Sequence, residues 1–357
     1  MNTLRWGIIS TAGIACKNWQ AIHHSGSSVV AVASRDADRS RRFIEGCQAT
    51  APFHPAPAAL GSYEALLAAK DIDAVYIPLP TGLRKEWVLR AAAAGKHVLC
   101  EKPCGLNAAD LAEMINACRT HRVQFMDGVM FMHNPRLARV RELLDDGRSI
   151  GRVKRIMSVF AFQAVQDFFD ANIRVHSELE PTGCLGDLGW YCLRFSLWTM
   201  NWQLPREVTG RTLSQRGNRL SPAPAPTDFS GELIFDDETS AGFYCSFLAE
   251  SQQWVDVSGA KGHFSIPDFV HPFNTHEPAL QLNNREQKIR LCDCPGAHNE
   301  SRAMAQDVNM FRNFAAQVRS GSLNEAWPMW ALKTQQVMDA CFESAKNGSR
   351  PVQIKKI

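Results

Sequence analysis

No uninterrupted apolar run in this 357-residue chain approaches the roughly 20 residues that cross a bilayer, so no membrane-spanning helix is expected. The N-terminus runs straight into a strand-like segment, Leu4 to Ile9, with no charged stretch ahead of a long apolar one, and no secretory leader is read there. Like charges do not gather either: 39 basic against 36 acidic residues leave a net +3. Only short basic clusters occur, such as Arg39-Ser40-Arg41-Arg42 and the tail Lys355-Lys356, and charge gives no reason to expect nucleic acid. A cytoplasmic protein is expected. No internal repeat is visible. Eleven cysteines, an odd count scattered through apolar stretches, exclude a disulfide framework and read as reduced thiols. Cys292-Asp293-Cys294 with His298 is a fragment of a metal site, but one close pair and one histidine do not complete a tetrahedral set, so no metal is expected. The glycosylation patterns Asn299-Glu300-Ser301 and Asn347-Gly348-Ser349 have no meaning without secretion.

What is present is ordinary globular composition, 45% apolar and 21% charged, in a chain long enough for two domains. Leu4 to Ile9 reads as a buried strand followed by a helix to about His24, and Val29 to Ala33 as a second strand ahead of a helix from Ala37 to Gly46. Tyr63 to Ala69 is helical, Ala74 to Ile77 a strand, Leu83 to Ala94 a helix stopped by Gly95, and Ala108 to Thr120 and Val123 to Met126 a further helix and strand. Strands alternating with helices predict a parallel doubly wound sheet over residues 1–128. Beyond Val129 the texture changes. A helix from Pro135 to Leu144 leads into alternating runs at Val153 to Phe162, Gly231 to Phe235, Ser240 to Phe247 and Gln253 to Ser258. That pattern predicts an α+β domain over residues 129–357 with a mostly antiparallel open sheet. Ser221-Pro222-Ala223-Pro224-Ala225-Pro226 reads as a stiff loop inside it.

Three stretches carry chemistry. Lys96-His97-Val98-Leu99-Cys100-Glu101-Lys102-Pro103 is a short strand stopped by a proline, which has no N–H for a central strand. It leaves Lys102 at a strand's carboxyl end, where open α/β sheets bind ligands; by itself a Glu-Lys pair is equally a solvated face. After the first strand a Gly-x-Gly-x-x-Gly turn is missing, with Ser10, Ala12 and Ala15 in its place. Small residues there, with Thr11, Gly13 and Ile14 between them, still allow close backbone approach to a diphosphate at the helix start, although a plain tight turn is the competing reading. Ser34-Arg35-Asp36 closes the second strand, where an acid selects NAD and a base NADP. A hydroxyl and a guanidinium suit a phosphate, with Arg39 one turn on, so NADP is preferred and Asp36 keeps NAD as the lesser alternative. The third stretch is Gly183-Cys184-Leu185-Gly186-Asp187-Leu188-Gly189-Trp190-Tyr191. If Asp187 opens a helix, it and Tyr191 share a face; the other reading is a helix cap and a core aromatic. A nearby lysine would favour phenolate and make the tyrosine a usable acid–base group.

Together these stretches resemble the Gfo/Idh/MocA family of nicotinamide-dependent oxidoreductases over nearly the whole chain. The carriers are Gly7 to Ala15, Val32 to Asp36, Tyr76-Ile77-Pro78-Leu79-Pro80-Thr81, His97 to Pro103 and Gly186 to Tyr191, with Gly259-Ala260-Lys261-Gly262 resembling the C-terminal turn. Tyr191 resembles the tyrosine of the dimeric dihydrodiol dehydrogenase and NADP-dependent D-xylose dehydrogenase branch, where many sugar dehydrogenases have histidine. The departures are Ser10 and Ala12 for glycines, Thr81 where asparagine is common and Arg84 where histidine is common.

The resemblance implies a Rossmann domain followed by a domain with a large sheet, whose outer face serves a homodimer or larger assembly. It maps catalytic roles onto Lys102, Asp187 and Tyr191. Coenzyme contacts map onto Ser10, Thr11, Ala12, Gly13, Ile14, Ser34, Arg35, Arg39, Leu79, Pro80, Thr81, Glu101 and Lys102. The expected reaction is hydride transfer between NADP and a small polyhydroxylated, sugar-like or vicinal-diol substrate. Tyr191 would take the hydroxyl proton, Lys102 would favour its phenolate, and Asp187 would orient the lysine or the substrate. Two alternatives are a nicotinamide-dependent enzyme without net redox, of glycosidase type, and a catalytically silent NADP-binding sensor.

Overall fold

The computed structural model describes residues 3–274, 277–289 and 305–354, which excludes Cys292, Cys294 and His298 of the cysteine-rich fragment. The chain opens with β1 (Arg5–Ile9), α1 (Gly13–His24), β2 (Ser28–Ala33), α2 (Ala37–Gln48), β3 (Ala58–Leu60), α3 (Tyr63–Ala68), β4 (Ala74–Ile77), α4 (Thr81–Ala93), β5 (His97–Cys100), α5 (Ala108–Thr120) and β6 (Phe125–Asp127). It continues through α6 (Arg136–Asp145), β7 (Val153–Ala161), α7 (Gln166–Ala171), α8 (Trp190–Thr199), β8 (Glu207–Arg216), β9 (Ala225–Ile234), β10 (Ser240–Ser246) and β11 (Gln252–Gly259). It ends with β12 (His263–Ile266), β13 (Ala279–Leu282), β14 (Arg285–Lys288), α9 (Gln306–Arg319), α10 (Ala326–Lys346) and β15 (Val352–Gln353).

Two compact units divide these elements. The first comprises the described residues of Met1–Gly105, Ala109–Asn134 and Glu300–Ala331, and the second those of Leu106–Ala108, Pro135–Asn299 and Leu332–Ile357. In the first, six parallel strands run in the order β3-β2-β1-β4-β5-β6. The order reverses beside β1, so the crevice outside the ends of β1 and β4 is the topological switch point where doubly wound sheets bind ligands. β1, β4 and β5 are short apolar runs with almost wholly buried side chains, as strands covered on both faces must be. α9 provides part of that cover: the rings of Phe311 and Phe314 lie 5.3 and 5.1 Å from Trp6, and Phe311 lies 5.7 Å from Tyr76.

The second unit is built on nine strands in the order β14-β13-β12-β11-β7-β10-β9-β8-β15. β7 and β10 run parallel and the other pairings are antiparallel. α8 packs on one face, burying nine of its ten residues, which is why it reads as apolar all round rather than amphipathic. One expectation is corrected here, and one strand escapes the sequence pattern. Ala225 and Pro226 are not loop but the first residues of β9, where a proline is tolerated because a strand's opening residue can forgo its donor. β8 is polar along much of its length and carries no apolar alternation in its sequence, although its burial alternates.

No helix among the described residues is long and apolar enough to cross a membrane. The nine described cysteines are free, and burial pushes the thiols of Cys47 and Cys118 up to about 12.

Candidate active site

The β1–α1 turn keeps the backbone of a glycine turn without the glycines. Ser10 has φ +131°, a region that L-residues avoid, and two bonds hold it there. Its N–H donates to the Ala33 carbonyl at 3.0 Å, and its Oγ accepts from the Ala12 N–H at 3.1 Å. α1 then begins with no side-chain cap and no acid in its first turn, which leaves helix-start N–H groups for an outside acceptor. Gly13 is exposed, and a Cβ built on it would meet nothing within 4 Å. Ile14 beside it is 40% exposed.

At the end of β2 the three candidate polar residues separate. Ser34 is buried; its Oγ donates to the Asp36 carbonyl at 2.5 Å and accepts from the Asp36 N–H and the Ser40 hydroxyl at 3.2 and 3.1 Å. It shapes the turn from inside. The Asp36 carboxylate caps α2 by accepting from the Asp38 N–H at 2.9 Å. Arg35 is exposed and makes no hydrogen bond or ion pair among the described residues. Arg39 donates through Nε to Thr11 Oγ1 at 2.9 Å, joining α2 to the phosphate-type turn. Burial raises the Tyr63 phenol while the charges of Arg35 and Arg39 both lower it.

The end of β5 is anchored by its acid. Glu101 is 8% exposed and its Oε1 accepts from the Tyr76 hydroxyl at 2.6 Å and from Asn18 Nδ2 at 3.4 Å. Asn18 Nδ2 also donates to the Tyr76 oxygen at 2.6 Å. Burial, and then the charge of Glu101, raise the Tyr76 phenol well above its ordinary value, so the pair is a carboxylate accepting from a neutral phenol. Gly128 makes room, since a Cβ there would come within 3.0 Å of the carboxylate. Oε2 accepts from the Lys102 backbone N–H at 3.3 Å, so Glu101 fixes the main chain at Lys102. Lys102 itself is half-buried and precedes a cis peptide bond to Pro103. Leu79, Pro80 and Thr81 form the β4–α4 turn, with Leu79 and Thr81 buried. Thr81 Oγ1 donates to the Pro103 carbonyl at 3.3 Å.

In the second unit Asp187 does not open a helix. Helical winding starts at Gly183, and Asp187 sits in the middle of a π-helical turn, Leu185–Gly189, that runs into α8. Gly183 has φ +49° and a Cβ there would lie 2.0 Å from the Pro226 carbonyl oxygen, so only glycine begins the turn this close to β9. The wider π winding removes the simple i, i+4 face expected for Asp187 and Tyr191. A residue without any motif of its own pairs with Asp187 instead. Arg174, in a 3-10 turn at Ile173–Val175, donates through Nε to Asp187 Oδ2 at 2.8 Å. The Asp187 carboxylate raises the Arg174 guanidinium above its ordinary value against the opposing effect of burial, and Glu180 and Tyr191 add to the rise. Tyr191 is 7% exposed and stands edge-on to Phe160, ring centres 5.4 Å apart. The carboxylate and guanidinium are thus paired, and the Tyr191 phenol, four residues after Asp187, is close enough to add to the rise at Arg174; a phenol near a cation can take up and return a proton.

Residues 4–129 match the model of the oxidoreductase family GFO_IDH_MocA, NAD-binding Rossmann fold. Residues 137–265 match that of the GFO/IDH/MocA C-terminal domain. The chain is 31% identical to D-xylose 1-dehydrogenase (NADP(+)) 2 of Haloferax volcanii, over 97% of this chain and 98% of that protein. It is 32% identical to trans-1,2-dihydrobenzene-1,2-diol dehydrogenase of Bos taurus, over 74% of each. Among solved structures it is similar to KijD10, a 3-ketoreductase from Actinomadura kijaniata in complex with NADP and TDP-benzene. There the TM-score is 0.80 at 25% identity, with 98% of both chains covered.

Proposed function

The chain belongs to the Gfo/Idh/MocA oxidoreductase family, and from that premise we propose that it moves a hydride between NADP and a hydroxyl-bearing carbon of a sugar-like or vicinal-diol substrate. The observation that carries the reading is the β1–α1 turn: an uncapped helix start with Gly13 facing open space, flanked by Arg39 on Thr11 and by Arg35. Groups of that kind, backbone N–H donors and guanidiniums, fit diphosphate and phosphate. When bound, NADP supplies the nicotinamide carbon that accepts or donates hydride.

The N–H groups of Gly13 and Ile14 are assigned to the diphosphate, with the Thr11 hydroxyl beside them; Ser10 and Ala12 hold the turn. Arg35 and Arg39 are assigned to the 2′-phosphate. Asp36, spent on capping α2, is poorly placed to serve the ribose hydroxyls that an NAD enzyme holds, which supports NADP. Leu79, Pro80 and Thr81 are assigned to the wall beside the nicotinamide. Glu101 acts through the main chain at Lys102. Tyr191 accepts the substrate hydroxyl proton during oxidation and returns it during reduction. Arg174, held by Asp187, is assigned to favour its phenolate, and Lys102 keeps the catalytic role that the family resemblance gives it.

The substrate class draws support from the named relatives, a xylose dehydrogenase, a dihydrodiol dehydrogenase and a sugar-nucleotide-bound ketoreductase. The glycosidase-type and sensor readings draw none from them. We also read the protein as a cytoplasmic homodimer or larger assembly. On the face of the nine-stranded sheet away from α8, the partly exposed Tyr244 and Trp254 pair with the buried Val159, and self-association would cover the two rings.

The reading is tested by titrating the protein with NADPH and NADH and then screening aldoses and vicinal diols for NADPH formation. Tighter NADPH binding and turnover on a polyhydroxylated compound are expected. Failure to bind either coenzyme overturns it.

A further inference from the structure

Among the described residues of the first unit two cations are buried outside the phosphate turn and the acid–base cluster: Lys96, which donates to the Ala69 and Ile72 carbonyls at the far end of β5, and Arg84. Arg84 is 5% exposed, and a guanidinium so far from water is tolerated only when its N–H groups are satisfied. Its bonds tie together two segments distant in sequence. Nε donates to the Leu79 carbonyl at 2.7 Å and NH1 to Thr81 Oγ1 at 2.8 Å, both in the β4–α4 turn. NH1 also donates to the Pro103 carbonyl, on the residue that follows Lys102, and Thr81 reaches that same oxygen. The Pro103 carbonyl therefore receives two donors from the turn, while Glu101 holds the Lys102 N–H from the other side. Lys102 projects from a main chain gripped just before and just after it.

Residue type matters here. A guanidinium presents its N–H groups in a rigid planar fork, so it fixes three oxygens relative to one another. A neutral imidazole, with one N–H, cannot serve all of them. We propose that Arg84 is a positioning residue that locks the peptide at Pro103 to the β4–α4 turn, setting where the Lys102 amine is presented. The consequence for turnover rests on the function proposed above; the lock itself does not.

The experiment compares wild type, Arg84→Lys and Arg84→Met by backbone hydrogen exchange without coenzyme, and by steady-state kinetics at saturating NADP. If the lock exists, Arg84→Met speeds exchange about tenfold or more in peptides covering 79–83 and 102–105 while β2 is unaffected, as local opening requires. It also lowers kcat about 10- to 100-fold at nearly constant substrate KM, and Arg84→Lys recovers part of both effects. Unchanged or uniformly faster exchange overturns the lock. Locally faster exchange with wild-type kcat per folded molecule overturns the positioning role. If wild type turns over no substrate, the proposed function fails and the exchange result still decides the lock. Should Arg84→Met not fold, Arg84→His, which keeps one donor, is measured against the same two outcomes.

Discussion

The two groups of candidate residues, one in each unit, are assembled by different means. In the first unit, side chains are spent largely on main chain: Ser34 on its own turn, Asp36 on the start of α2, Glu101 on the Lys102 N–H, Thr81 and Arg84 on the Pro103 carbonyl. In the second, side chain answers side chain: Arg174 pairs with Asp187, and Tyr191 stands against Phe160. The first arrangement shapes a backbone cradle that other residues of the right geometry can reproduce. The second depends on the identity of each group, so single substitutions there should cost more.

That contrast can be broken most directly at Tyr191. Tyr191→Phe should lower turnover by about 10²–10⁴-fold, the usual weight of a positioned acid–base group, while NADPH binding stays at the wild-type level. Retained turnover would remove the second unit's group from the chemistry. Arg174→Met should act less severely, lowering kcat about 10- to 100-fold. It should also move the acid limb of the oxidation profile, where protonation removes the phenolate base, to higher pH, because a cation beside a phenol favours its phenolate and its loss disfavours it. A limb that does not move assigns Arg174 to packing alone.

In the first unit the largest effect belongs to the residue not engaged with main chain. Arg35→Asp should weaken NADPH binding about 10- to 100-fold, the weight of a charge-assisted bond or two, and bring NADH binding level with it or above. Fluorescence titration of both coenzymes reads this. The smallest effect should be at Ser10. Ser10→Ala keeps the strained φ and loses the bond to the Ala12 N–H, costing about 1 kcal/mol. Ser10→Gly loses the bond but relieves strain of about 1–3 kcal/mol, so thermal unfolding should rank Gly above Ala. The reverse order would mean that the turn is not strained.

The first unit was legible because buried parallel strands are continuous apolar runs with sharp ends; β4 and α5 match the expected spans from Ala74 to Ile77 and from Ala108 to Thr120. β3, a three-residue edge strand with no buried residue, leaves no such run. The missing glycine at Ser10 was legible as a departure. Its outcome was not, because the connection from β1 to α1 imposes the backbone and two hydrogen bonds make the conformation bearable. In the second unit the glycines around Asp187 announced something unusual, but spacing rules assume α winding and the turn is π. Arg174 lay in a turn without periodicity, and only folding reveals that it meets Asp187.

Gly13 illustrates how selection can act on empty space. A methyl group there would collide with nothing in the protein, and alanine favours a helix over glycine, so a search for stabilising substitutions would treat the position as free improvement. The cost of filling it would fall on whatever phosphate the turn receives. If the proposed coenzyme site is right, an engineer ranking variants by melting temperature alone would select towards a sturdier protein with its coenzyme entrance narrowed, and the glycine is volume held in reserve for a guest.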